Sequence, residues 1–430
     1  MIRLIKNKNL LKTLGPGILF ASTAIGVSHL VQSTRAGANY GFILLWAVLL
    51  ANLFKYPFFE FGTRYANVTG ESIIHGYKRL GKWMLWLYFI ITLGSMFFVS
   101  SAVSFVTAGF LQNLFSIPIE NFSLLSTSSI LIIICVLILS IGKYNLLDSL
   151  IKIIGSVLLA STILAFTLAL IHGPLEKSSN FIPPEVWNPS GIAFLIALMG
   201  WMPTAVDLSA WNSLWTIERI KQTGYKPKLK ESLFDFNFGY IVSALLAICF
   251  ITLGAYFIYG TNKSMPAGSA GFANEVVKLY TETMGDWSYI IIAASAFSIM
   301  FGTSIAVFDG YARSVKRCIE LIFFKEDEQS KWQKDRRFFI IALILIGCGS
   351  LGIIQHFHKT PSGFKSLVDL ATTLSFLIAP IIAIVNFKLV NSKTLMPNGR
   401  PPKWLNLLSY AGIIFLSLFC LLFIYAKCFL

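Results

Sequence analysis

GPGILFASTAIGVSHLVQSTRAGANYGFILLW, residues 15–46, opens with an apolar run long enough to cross a hydrocarbon core of ~30 Å, yet it is interrupted twice. Gly15-Pro16-Gly17 stands near its start and Gly26-Val27-Ser28-His29 near its middle. A later run, 190–215, is broken the same way by Met199-Gly200-Trp201-Met202-Pro203-Thr204. Glycine and proline at such positions cut the helical hydrogen-bond ladder and free backbone carbonyls. Within a bilayer, freed carbonyls are tolerated only where they line a cavity or a packed interior. The two broken runs are the first and the sixth along the chain. That pairing points to two inverted repeats of five helices with a substrate site near the midplane.

The rest of the chain agrees with a membrane setting. Of 430 residues, 56% are hydrophobic and 13% charged, with mean hydropathy +0.71. Soluble domains carry roughly 25% charged residues, so this chain lacks the charge to cover a water-facing surface. Apolar runs at 13–39, 42–66, 83–112, 125–142, 147–172, 190–215, 236–260, 286–312, 337–355, 363–390 and 405–427 predict about eleven helical spans. These runs are continuous, which excludes the short alternating segments of a β-barrel. The expected fold class is an all-α polytopic membrane protein forming one transmembrane domain. It divides into a first repeat, 13–172, a second, 190–390, and an additional helix, 405–427. The basic start, Arg3 to Lys12, leads into the first span without a small-residue cleavage pattern, so that span is expected to be retained.

The net charge of +15 is distributed by side. With the N-terminus cytoplasmic, 27 Lys and Arg fall in the cytoplasmic segments and six on the other face, while Arg35 and Lys55 lie within spans. That asymmetry follows the positive-inside rule and places the C-terminus outside, in a plasma (inner) membrane. It also removes the case for nucleic acid as a partner; the expected partners are the lipid bilayer and a small ion or solute. Cys135, Cys249, Cys318, Cys348, Cys420 and Cys428 show no CxxC spacing and read as small packing residues. No nucleotide loop or nucleophile motif supports an enzyme, and no cofactor is expected.

The opening stretch resembles the first helix of NRAMP-type (natural resistance-associated macrophage protein) divalent metal transporters. The GPG, the later AGA-x-YG and the LLW fall at matching spacing. Val68-Thr69-Gly70 is similar to the family's VTG turn, and Met202-Pro203 to the start of its sixth-helix MPH motif. Gly302, Ser304, Tyr311-Ala312 and Pro380 also match. The resemblance implies the LeuT-like fold and alternating access to a divalent metal ion. It also marks departures. The family's Asp-Pro-Gly-Asn metal motif is replaced by Gly26-Val27-Ser28-His29, and its sixth-helix histidine by Thr204. The third span, Trp83 to Gln112, has no Asp or Glu where the family has acidic residues linked to proton movement. The altered site and missing acids imply a divergent member without the family's proton route.

Candidate substrate-binding residues are Gly26, Ser28, His29, Met199, Gly200, Met202, Thr204, Asp207, Asp369 and Thr373. His29, Met202 and Asp207 are the candidate metal ligands: an imidazole, a thioether favouring transition-type ions, and a charged group in place of the one absent at Gly26. The carbonyls of Met199 and Gly200 end a half-helix, a negative dipole end that suits cations. Structural readings stand beside these. His29 would be an interior histidine capping carbonyls, and Asp207 a partner of Lys55 or Arg35. Asp309 would pair with Arg313, and Lys55 with Glu60 or another interior charge. A second functional reading, transport of a small organic solute such as an amino acid, rests on Arg35 and on room for a carboxylate at Gly26. A non-transporting membrane receptor is a third reading; no soluble sensing domain supports it.

Overall fold

The computed structural model describes residues 13, 15–117, 123–142, 144–325, 335–360 and 362–429, with only the backbone for 144–155. The basic start Arg3–Lys12, Lys143, Lys331 and Lys334 lie outside the described residues. Every regular element among the described residues is helical.

The first expected span is three pieces: α1 (Pro16–Ala24), a π-helical turn (Ser28–Ser33) and α2 (Thr34–Tyr40). Helix α1 stops beside Gly26, whose carbonyl then accepts from both His29 N (3.2 Å) and Leu30 N (3.0 Å). In the widened turn the Ser33 hydroxyl donates to Ser28 O at 3.1 Å, five residues back, so a side chain serves a carbonyl the ladder strains to reach. There follow α3 (Leu45–Thr69), the short α4 (Ile73–Leu80), α5 (Lys82–Leu114), α6 (Leu124–Ile141) and α7 (Tyr144–His172). The sixth expected span is α8 (Pro189–Gly200) and α9 (Leu208–Thr223), joined through a cis Met202–Pro203 peptide. The chain continues as α10 (Leu229–Phe257), α11 (Ser269–Met284), α12 (Tyr289–Phe323), α13 (Arg337–Phe357), α14 (Gly363–Asn391) and α15 (Lys403–Phe429).

Among the described residues, seven helices are long and apolar enough to cross a membrane: α5, α6, α10, α12, α13, α14 and α15. The other expected spans miss that standard for visible reasons. The first and sixth are divided, and α3 carries Lys55, Glu60 and Arg64 along its 25 residues. Described side chains of α7 begin only at Ser156. Helix α11 lies in a stretch read from sequence as loop; it packs against α5. Leucine and isoleucine stand exposed on α6 (Ile133, Leu137) and α15 (Leu407, Leu418, Leu421), the surface of an integral membrane protein in contact with lipid.

Helix α10 packs along the whole first span. Asp235, at its buried start, accepts from Gly17 N at 2.7 Å and Gly15 N at 3.3 Å, and so closes the N-terminus of α1. Further along, a Cβ on Gly37 would stand 2.0 Å from Ile251 O, and one on Gly254 2.4 Å from Thr34 O. Only paired glycines let α2 and α10 cross this closely, as small residues do between membrane helices.

All six cysteines are free; Cys135, Cys249, Cys318 and Cys420 are buried, whereas Cys348 and Cys428 are exposed, so packing accounts for four of them.

Candidate substrate site

The two interruptions face a common small cavity of ≈ 20 Å³. Thr23, Val27 and Ser28 line it from the first span, Val99 and Val103 from α5, and Thr303 and Val307 from α12. Trp201, Thr204, Ala205 and Leu208 complete it from the α8–α9 break. A volume of this size holds about one water-sized sphere. The wall is predominantly apolar, with Thr23, Ser28, Thr204 and Thr303 among its residues and no Asp or Glu.

Each interruption arises locally. Helix α8 begins at Asn188, whose side chain accepts from Gly191 N at 2.7 Å, and Pro189 sits in the first turn. It ends at Gly200, where a Cβ would meet Thr372 O at 2.0 Å, so the helix end is pressed against α14. Trp201 then leaves the helix and is held by a 2.8 Å bond from its Nε1 to Ser375 Oγ. On the other side, Gly26 faces Thr303: a Cβ there would lie 2.7 Å from Cγ2 and 2.8 Å from Oγ1. The expected room for a carboxylate at Gly26 is therefore filled by Thr303, which is itself fixed by donating to Ser22 O at 3.0 Å.

Of the candidate residues, only Ser28 and Thr204 line the cavity. His29 is fully buried with both ring nitrogens engaged: Nδ1 lies 2.8 Å from Ser28 Oγ and Nε2 2.8 Å from Ser243 O. Met202 is buried within the apolar core. Asp207 is buried at the start of α9 and interacts with Tyr311 and, electrostatically, with Lys55. The three candidate metal ligands thus face separate surroundings rather than one cavity. Among the described residues no group of three His, Cys, Asp or Glu stands together as a metal cluster.

Asp369 forms a bidentate pair with Arg35, Oδ1 to Nη1 at 2.6 Å and Oδ2 to Nη2 at 2.9 Å. Gln32 joins it, donating to Asp369 Oδ1 at 3.0 Å and accepting from Arg35 at 2.9 Å. This network ties the π-turn and α2 to α14 and occupies the arginine that the organic-solute reading needed. Thr373 is half-buried and its neighbour Thr372 takes a 3.3 Å contact from Gln32. Asp309 pairs with Arg313 at 2.7 Å, as expected, and accepts from Trp215 Nε1 at 3.2 Å. The Lys55–Glu60 pairing does not form. Glu60 is held bidentately by Arg64 one helical turn away, at 2.9 Å and 3.1 Å from Nε. Lys55 instead donates to the carbonyls of Met199 (2.5 Å), Gly200 (2.8 Å) and Thr204 (3.3 Å).

Sequence reasoning missed Thr23, Trp201 and Thr303 on the cavity wall, and Asp235 as the cap of α1. A hydroxyl in an apolar helix gives no local sign of where it points. Thr303 had one available clue: it lies between Gly302 and Ser304, both already matched to the family.

The NRAMP-like family model, natural resistance-associated macrophage protein-like, matches residues 17–426. The chain belongs to the Nramp family. An uncharacterized protein of Pasteurella multocida is 34% identical over 415 residues, covering 96% of this chain and 91% of the relative. The divalent metal cation transporter MntH of Levilactobacillus brevis is 20% identical over 433 residues, covering 96% and 89%. Among solved structures, a mutant of the Eremococcus coleocola manganese transporter superposes with TM-score 0.70 at 14% identity, covering 98% of this chain and 87% of that one. MhsT in complex with L-phenylalanine superposes with TM-score 0.60 at 14% identity, covering 95% and 98%. The fold of this Nramp chain is accordingly LeuT-like, and fold alone does not choose between a metal and an amino acid.

Proposed function

We propose that this Nramp protein is a secondary transporter that carries a divalent metal cation by alternating access, with the cation held in the cavity between the two helix breaks. The observation that carries the reading is the cavity's size and place. At ≈ 20 Å³ it accommodates a single small ion, whereas organic ligands require hundreds of Å³. Family membership supports the same cargo. The halves 13–172 and 190–390 act as the two repeats, in an inner membrane with the N-terminus cytoplasmic and the C-terminus outside.

The chemistry of the wall refines the cargo. The polar side chains among the lining residues, Thr23, Ser28, Thr204 and Thr303, carry neutral oxygens, a donor type that suits hard cations such as Mn²⁺ better than soft ones. Without a carboxylate in contact, affinity falls below that of a charged site by ~1.4–3 kcal/mol, roughly ten- to a hundred-fold. The third span supplies no carboxylate for a family-type proton relay, so transport is expected to proceed with weak or absent proton coupling.

Uptake into proteoliposomes tests this. Mn²⁺ should enter saturably without matching acidification of the lumen, and Ser28→Ala and Thr204→Val should each weaken it several-fold. Absence of uptake for every divalent metal, together with accumulation of a radiolabelled amino acid, would replace the metal with an organic solute. Lumenal acidification at one proton per metal would overturn the absence of proton coupling alone.

A further inference from the structure

The interrupted end of α8 exposes carbonyls that a helix normally leaves unpaired, at the negative end of its dipole. A fully buried ammonium already sits on them. Lys55 Nζ donates to Met199 O at 2.5 Å, Gly200 O at 2.8 Å and Thr204 O at 3.3 Å. An ammonium has three N–H donors, and three backbone oxygens of one break receive them. The ring of Phe376 lies with its centroid 6.0 Å from Nζ, and Asp207 supplies the nearby negative charge. The acid five residues along α3, Glu60, is taken by Arg64. A cluster of backbone oxygens around one positive centre is the coordination that a metal or alkali ion receives from a protein. Here a covalently attached cation receives it.

We infer that Lys55 is a tethered cation: its ammonium fills a cation-binding position built from the Met199, Gly200 and Thr204 carbonyls and keeps that position closed to free cations. The inference goes beyond the cargo reading and does not depend on it. It has one consequence for cargo. A transported ion is confined to the adjoining cavity, which shares Thr204 with this position.

The test uses the full chain purified in detergent, without added metal. Thermal melting of wild type, Lys55→Ala and Lys55→Gln is followed in ammonium, propylammonium and tetramethylammonium chlorides at equal concentration. Propylammonium replaces the side-chain atoms that alanine lacks, and should restore at least half of the several-degree loss expected for Lys55→Ala. The shorter amide of Lys55→Gln leaves space for ammonium and adds an oxygen to its shell, so ammonium should raise that variant's melting by a few degrees. Wild type should respond alike to all three salts. A selective response of either variant, absent in wild type, supports the inference. Variants that respond to ammonium salts no more than to tetramethylammonium, or a wild type as selective as the variants, overturn it. If Lys55→Ala is not recovered folded, Lys55→Gln carries the comparison alone. Because no metal is present, failure here leaves the cargo reading standing, and the reverse holds.

Discussion

At the scale of single residues, the site is shaped by what glycine and lysine replace. Gly26 aligns, by resemblance, with the aspartate of the family's first-helix motif, and its missing side chain is answered by Thr303 pressing into the space. The two positions are therefore coupled. Gly26→Ala sets a Cβ 2.7 Å from Thr303 Cγ2 and should destabilise the fold by about 1–3 kcal/mol, the usual cost of overpacking. Thr303→Ala removes both offending atoms and should recover most of that loss. A double-mutant cycle on melting temperature measures the coupling; additive effects would show that Thr303 does not limit Gly26. The buried ions follow the same logic of partner choice. Arg35 takes Asp369, Arg64 takes Glu60 and Arg313 takes Asp309, so each cation is neutralised by a carboxylate within contact. Lys55 is the exception, held by carbonyls.

At the scale of elements, α10 is the scaffold against which the first span is aligned. Its Asp235 caps α1, and its Gly254 meets Gly37 of α2, so both pieces of a broken helix are registered on one unbroken helix. This explains how the interruption at Gly26 can exist without the halves drifting apart. Asp235→Asn should keep an acceptor but lose the charge that favours the N-terminus, costing about 0.5–2 kcal/mol. Gly254→Ala would push a methyl against Thr34 O and part the two helices, with a larger loss and reduced uptake. Melting and uptake measured side by side check the order of the two; an Asp235 variant more damaging than Gly254→Ala would contradict it.

At the scale of the whole molecule, the expected orientation rests on loop charge. The 27-to-6 division of Lys and Arg predicts that single cysteines in 218–231 and 313–337 label from the cytoplasmic side and those in 261–285 from outside. Labelling of all three from one side would refute the arrangement of spans. The 261–285 stretch holds α11, so accessible positions there lie on its exposed face, at Lys278 rather than at buried Val277.

By itself the sequence determined that the chain lives in a bilayer, that its first and sixth spans are broken, and which segments carry the positive charge. Hydropathy and interrupted hydrogen-bond ladders depend on residues within a turn or two of each other, so they can be read locally. The family pattern added the fold, because Gly15-Pro16-Gly17 and Met202-Pro203 are backbone features that survive when side chains diverge. Tertiary structure alone decided what each buried polar group does. Lys55 reaches a carbonyl 144 residues away, Arg35 a carboxylate 334 residues away, and Thr303 the backbone of Ser22, 281 residues earlier. A buried charge must find some partner to offset its desolvation. Several partners satisfied that need on paper, including Glu60 for Lys55, and the choice among them belonged to helix packing.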